Sequence, residues 1–242
     1  PGLVSHALAF CKKTQQNIIS GGWTGSVRVN DTLILTGETW IKAESGIAYY
    51  KGGFQNHAMA YDEKRKTIVL FGGMTNMYPG GQIALGDTWE WDGQAWSRIF
   101  VKGPEPRWGH KMVYDQSNGT ILLFGGNDGK KYFDDTWIWN GNTAEWSKVT
   151  PGTIPGARCF HSMTCDTVRS RILMFGGLSA SDTPLRDLWE WNGTDWTLLM
   201  AEAPPKPRYN SGFVYDPGRN KSLLFGGFDG KEFFRDSWEF TY

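Results

Sequence analysis

A pair of adjacent glycines recurs five times along the 242 residues: Gly21-Gly22, Gly72-Gly73, Gly125-Gly126, Gly176-Gly177 and Gly226-Gly227. The first glycines of successive pairs are 51, 53, 51 and 50 residues apart. A period this long and this regular marks one supersecondary unit copied in tandem, each copy leaning on its neighbours for part of its core.

Other residues keep the same register. Fifteen residues before the first glycine stand His6, His57, His110 and His161, with Ser211 in the fifth copy. All four histidines of the protein therefore share one repeat position. After each glycine pair comes Asp31, Asp87, Asp135, Asp187 or Asp236, and two residues later Leu33, Trp89, Trp137, Trp189 or Trp238. Trp40, Trp96, Trp146 and Trp196 follow a further turn, and the fifth copy lacks this last tryptophan. The repeats span roughly 3–53, 54–103, 104–154, 155–204 and 205–242. They account for a composition of 31 Gly and 13 Trp, with glycine well above its usual share of about 7%.

Each copy reads as four short strands with no helical periodicity. In the third copy these are His110–Asp115, the apolar run Ile121–Phe124 into the glycines, the alternating Thr136–Trp139, and a strand opening at Trp146. Asp92-Gly93, Asn140-Gly141 and Asn192-Gly193 are hairpin signals between the third and fourth strands. The first copy is the most degenerate: Thr32–Thr36 replaces the Trp-x-Trp pattern, and Cys11 stands where others have Asp.

The carrying features are the double glycine, the Asp-Thr-Trp-x-Trp-(Asp/Asn)-Gly block with its following Trp, and the Pro-Arg before the first strand. On these the chain resembles the kelch-repeat family, in a variety that looks bacterial, over essentially 1–242. The resemblance implies an all-β, kelch-type β-propeller forming a single domain. Five four-stranded blades are recognisable, the last lacking its outer strand. Kelch propellers usually have six or seven blades, so the expectation is a segment of such a ring within a longer polypeptide. A five-bladed ring with one three-stranded blade is the alternative. Radial stacking would cover both faces of each sheet, burying Phe71, Phe124, Phe175 and Phe225 with the tryptophans. The glycines would allow positive φ and close approach of an aromatic ring.

Charge narrows the partner classes. Lys plus Arg number 25 and Asp plus Glu 25, so net charge is zero. No basic stripe marks a nucleic-acid protein, and no apolar run reaches the roughly 18 residues of a membrane span. The three cysteines include no CxxC. Cys159 and Cys165 read as one extended run and would be about 20 Å apart, beyond disulfide reach. No metal or cofactor is expected.

Candidate site residues follow from the repeat. The recurrent histidines could ring an axis as metal ligands, but equivalent positions on neighbouring blades are too far apart for zinc. Packing within each blade, with hydrogen bonds to backbone, is favoured. Arg107, Arg158 and Arg208 stand three residues before the His position. Each is read either as a partner anchor or as an inter-blade salt bridge to the recurrent aspartates, the latter preferred. Beside them stand Trp108, Phe160 and Tyr209, a hot-spot composition that also suits sugar stacking. Met74–Gly86, including Met77 and Tyr78, is the longest loop between second and third strands and a place for function. Asn127, Asp128 and Asp229 occupy the equivalent short loops, where turn formation is favoured. Asn-x-Ser/Thr triplets at Asn30, Asn118, Asn192 and Asn220 also read as turns.

The leading expectation is a binding module, not an enzyme, that recognises a protein or glycan through its loop face. A sugar mutarotase-like enzyme and a structural module of a larger exported protein are the alternatives. An exported or extracellular location is slightly favoured.

Overall fold

The computed structural model describes residues 2–77, 80–199 and 204–241. Every regular element among them is a strand, and no helix is long and apolar enough to cross a membrane.

In the first repeat, β1 (Ala7–Cys11), β2 (Gln16–Ser20), β3 (Thr32–Thr36) and β4 (Thr39–Lys42) pair antiparallel in chain order. The second repeat has β5 (Ala58–Asp62) and β6 (Thr67–Phe71). A separate hairpin of β7 (Met74–Met77) and β8 (Gly81–Ala84) follows, then β9 (Thr88–Trp91) and β10 (Trp96–Ile99), with sheet order β5-β6-β9-β10. The third sheet is β11 (Lys111–Asp115), β12 (Thr120–Phe124), β13 (Thr136–Asn140) and β14 (Glu145–Val149). The fourth has β15 (Arg158–Cys159) and β16 (Ser162–Asp166), both pairing with the long β17 (Arg171–Ser179), followed by β18 (Pro184–Trp191) and β19 (Trp196–Leu199). The fifth has three strands, β20 (Gly212–Asp216), β21 (Lys221–Phe225) and β22 (Ser237–Phe240). These five small antiparallel sheets are the blades of an all-β, kelch-type propeller.

Burial follows strand position. β12 is buried at Ile121, Leu122, Leu123 and Phe124, so it reads as a continuous apolar run, as a strand covered on both faces must. The outer strand β14 buries only Trp146, whose large ring supplies most of that strand's apolar contact.

The chain divides into two compact units, 1–109 with 139–147 and 110–138 with 148–242. The core of the first includes Ile18, Phe54, Ile68, Leu70, Trp89, Trp91 and Trp96. The second has one cluster around Phe124, Met174, Trp191 and Trp196 and another around Phe175, Leu188 and Leu224.

Within each unit the same hydrogen bonds stitch successive repeats. The second glycine of a pair donates its N–H to the carbonyl of the residue three before the next His position. The bonds are Gly22 to Phe54 (2.7 Å), Gly73 to Arg107 (2.8 Å), Gly126 to Arg158 (2.8 Å) and Gly177 to Arg208 (2.9 Å). That residue's own N–H returns to the preceding repeat, as from Arg158 to the Phe133 carbonyl (3.1 Å) and from Arg208 to that of Leu185 (2.9 Å). Farther out, the indole N–H of Trp96 bonds the Thr32 hydroxyl (2.8 Å), that of Trp146 bonds Thr88 (2.9 Å) and that of Trp196 bonds Thr136 (3.0 Å).

The double glycine faces this seam. A Cβ on Gly125 would lie 2.5 Å from the Arg158 carbonyl oxygen and 3.2 Å from the His161 ring, and its φ is +68°. The approaching groups are a carbonyl and an aromatic ring, the imidazole of His161 here and, at Gly21, the rings of His57 (2.8 Å) and Phe54 (3.1 Å). Of the four second-strand phenylalanines, Phe71, Phe124 and Phe175 are fully buried. Phe71 lies against Trp146 and Phe124 against Trp196. Phe225, in the three-stranded fifth sheet, is 61% exposed.

Two expectations need correction. Cys159 and Cys165 are not in one extended run: Phe160 has φ +54° and breaks it, leaving the cysteines in β15 and β16, and no cysteine among the described residues forms a disulfide. The arginine–aspartate pairs form within a blade, not between blades, as the site shows.

Candidate functional site

The loops entering the first strands and those joining second to third strands lie side by side, because the seam bonds join them. Buried arginines fix their shape. Arg158 is 2% exposed. Its guanidinium grips both oxygens of Asp187 at 2.7 Å each, and bonds the carbonyls of Gly156 (2.9 Å) and Gly176 (3.0 Å). Arg208 repeats this with Asp236 (2.5 and 2.9 Å), Lys206 (3.0 Å) and Gly226 (2.9 Å). Bonding from Arg208 holds the Asp236 carboxyl at about 2, well below the usual range. Arg107 is equally buried and donates Nε to the Glu105 carbonyl (2.9 Å). Arg158 and Arg208 each pair with the aspartate of their own repeat, because the fork closes the entry loop onto the loop between second and third strands of the same blade.

What these loops present is aromatic. Trp108 and Tyr209 directly follow their arginines and are half-buried. Phe160 stands one residue farther on, where the other repeats have Ser5, Asn56, Gly109 and Asn210. All five positions have left-handed backbone, with φ of 57°, 57°, 67° and 53° at those four and 54° at Phe160. The turn sends the N–H back to the preceding repeat, as Asn56 to the Ser5 carbonyl and Asn210 to the Phe160 carbonyl, both 2.9 Å. Ser, Asn and Gly suit this conformation, whereas an aromatic residue there costs about 1–2 kcal/mol.

In the second unit the Phe160 ring begins a row. It lies 6.4 Å from Tyr209, which meets Phe228 edge-on at 5.6 Å, which stacks on Phe233 at 4.5 Å. Phe233 is 79% exposed. Asp229 turns its loop by accepting from Lys231 and Glu232 N–H (2.8 Å each), Asp128 does the same with Lys130 and Lys131 (2.8 Å each), and Asn127 accepts from Gly129 (3.1 Å). Tyr132 donates its hydroxyl to Asp182 at 2.7 Å. Burial pushes the Cys159 thiol up to about 12, so it stays protonated at neutral pH.

The first unit holds a groove of about 550 Å³ lined by Tyr49, Tyr50, Thr75, Asn76, Ile83 and Asp87. The long 74–86 loop is the β7–β8 hairpin, and its two strands form one wall. Met77 ends β7, and Tyr78 lies outside the described residues. Phe54 occupies the arginine position here, so Asp87 is bonded instead by Arg98 and Tyr50. Sequence reasoning missed Tyr50 and Arg98. The signal was Phe54, which leaves the recurrent aspartate without its arginine.

The histidines pack against the seam. His57 meets Phe54 at 4.5 Å and His161 meets Phe124 at 5.7 Å between ring centroids. Both His161 nitrogens are buried with no hydrogen bond, contrary to the expected backbone bond. Burial, then Arg158, Lys111 and His110, push its pKa well below 6.5. The unfolded chain therefore takes the proton first. Stability is full above about pH 6.5 and falls as pH drops below it, by up to about 1.4 kcal/mol per pH unit. Urea unfolding at pH 7.5 and 5.5 should show this loss, and His161→Leu should flatten it. Among the described residues no three His, Cys, Asp or Glu side chains converge to hold a metal.

Comparison with known proteins agrees with this architecture. The model of the KLHDC2/KLHL20/DRC7 Kelch-repeats domain matches residues 89–242. Mei4-dependent protein 6 of Schizosaccharomyces pombe is 36% identical over 98 residues, 38% of this chain and 14% of that protein. Kelch domain-containing protein 1 of Mus musculus is 32% identical over 106 residues, 40% of this chain and 24% of its own. The F-box/kelch-repeat protein At1g51550 of Arabidopsis thaliana is 35% identical over 92 residues, 36% and 18% respectively. The matched stretches thus span under a quarter of each relative's length. These relatives come from a yeast, a mouse and a plant, not from the bacterial variety that the sequence suggests. With its matched domain covering more than half of the residues, the chain belongs to the kelch-repeat family.

Proposed function

We propose that this chain recognises a protein partner through the loops that enter its first strands and join its second to third strands. Propellers of this family generally serve as protein-interaction modules. The observation that carries the reading here is Phe160. Four repeats fill its left-handed position with Ser, Asn or Gly, and the fourth repeat puts a phenylalanine there at a cost to the fold. Strain of this kind persists where the side chain has work outside the core. Its ring opens an aromatic row ending in the exposed Phe233. Such a row of aromatic rings, held in place by loops that the buried arginines fix, suits the anchor of a protein interface.

A protein is preferred over a glycan. The Phe160–Tyr209 and Tyr209–Phe228 pairs are inclined at 38° and 76°, so they offer tilted faces and edges where a sugar would want a flat platform.

Phe160→Asn and Tyr209→Ala should each weaken binding of a captured partner at least tenfold, measured by calorimetry with the full chain. Phe160→Asn should also raise the unfolding free energy by about 1 kcal/mol, since Asn suits the backbone there. A partner bound equally well by both variants would rule out this side of the protein.

A further inference from the structure

We infer that the surface around Tyr209 accepts a basic side chain, a guanidinium or ammonium group presented by a protein segment. This rests on the reading that the loop side binds protein, and it names the chemistry of what is bound.

Three consecutive repeats converge there. The third gives Tyr132, the fourth Cys159, Phe160 and Asp182, and the fifth Tyr209, Phe228, Asp229 and Phe233. Asp182 is tied to the Tyr132 hydroxyl, and Phe160, Tyr209 and Phe228 are in ring contact. Burial, Asp229, the Cys159 thiol and Asp182 all push the Tyr209 phenol upward, so both carboxylates act on this one ring.

The charges do not balance locally. Asp187 and Asp236 are each matched by a buried arginine, and Lys206 bonds Glu232 at 3.2 Å. Asp182 and Asp229 have no ion-pair partner among the described residues. Their acceptor bonds come from a phenol and from two backbone N–H groups, all neutral. Cys159 is protonated and adds no opposing charge. The Lys206 ammonium, shared with Glu232, lowers Asp229 only from beyond ion-pair distance, so two carboxylates without a direct ion pair beside a row of ring faces are complementary to a cation. The rings attract it through their quadrupoles and the carboxylates through charge and hydrogen bonds. An acidic segment would be repelled, and a purely apolar one would leave the carboxylates without a counter-charge.

The test pans displayed random heptapeptides against the full chain, then measures synthetic versions of the enriched peptides. Enriched peptides should carry Arg or Lys. Their affinity should fall at least tenfold in the Asp182→Asn/Asp229→Asn double variant, and fall again between 0.05 and 0.5 M salt. Asparagine keeps the acceptor oxygens that hold both loops, so an unchanged melting midpoint establishes that the fold is intact. Peptides without basic enrichment, or basic peptides held equally by the double variant, overturn the inference. If such peptides are still lost in Phe160→Asn, the protein-binding reading survives and only the ligand chemistry fails. Peptides that bind wild type, the double variant and Phe160→Asn alike sink both.

Discussion

Replacing Gly125 by alanine should cost roughly 3–4 kcal/mol of folding stability, several times the cost of the same change at Gly37. Both glycines are left-handed, with φ of +68° and +60°. At Gly37 nothing lies within 4 Å of the new Cβ, so only the backbone penalty of about 1–2 kcal/mol applies. At Gly125 the methyl would sit 2.5 Å from the Arg158 carbonyl oxygen. That oxygen belongs to a backbone held from both sides, by Gly126 N–H at 2.8 Å and through the Arg158 N–H at 3.1 Å to Phe133. It cannot rotate away as a flexible side chain would. Relief requires opening the seam between the third and fourth repeats, which also carries the His161 ring. Urea denaturation midpoints of the two alanine variants decide the matter. Equal losses would mean that the glycine pair serves backbone conformation alone.

Arg158→Ala should lower stability by about 3–5 kcal/mol, towards the lower figure because Asp187 keeps some contact with water. The side chain of Asp187 is 28% exposed, against 2% for Arg158. Removing the guanidinium strips Asp187 of both its short bonds and leaves it the Trp189 indole at 2.6 Å. It also frees the Gly156 and Gly176 carbonyls, which have been bonded at 2.9 and 3.0 Å. Most of the loss is the cost of stranding these acceptors, not the intrinsic worth of the ion pair. Arg158→Met with Asp187→Leu should therefore recover much of it. A double-mutant cycle by chemical denaturation measures the difference, and a double variant as unstable as the sum of the singles would contradict this account.

The blade pattern was open to sequence reasoning because every feature that builds a blade recurs. The glycine pair and the aspartate stand in every repeat and the tryptophans in most, the glycines for backbone shape and the others for side-chain bonds and packing. The site was harder to read because it depends on departures from the pattern. Phe160 looks like the counterpart of Trp108 and Tyr209, yet it stands one residue later, at the position of Asn210. Its left-handed φ was announced by the Ser, Asn, Gly and Asn of the other repeats, all residues that tolerate that conformation. The arginines looked like surface anchors when taken alone. Paired in register with the aspartates, they are better read as buried forks, since a charge is retained inside a fold only with its complement. Beside the β7–β8 hairpin, Phe54 stands where other repeats have arginine, and the residues that bond Asp87 instead, Tyr50 and Arg98, belong to no series.

Within each unit, the indole ties and several entry-loop amides reach from a later repeat to an earlier one. Trp96 reaches Thr32, Trp196 reaches Thr136, and Asn210 reaches Phe160. A polypeptide leaving the ribosome can thus begin to latch a new blade onto one already made in the same unit, while an amide such as that of Gly22 stays open until its partner carbonyl in the next repeat, here that of Phe54, has been synthesised. Growth becomes vectorial, each finished edge waiting for the repeat that follows it.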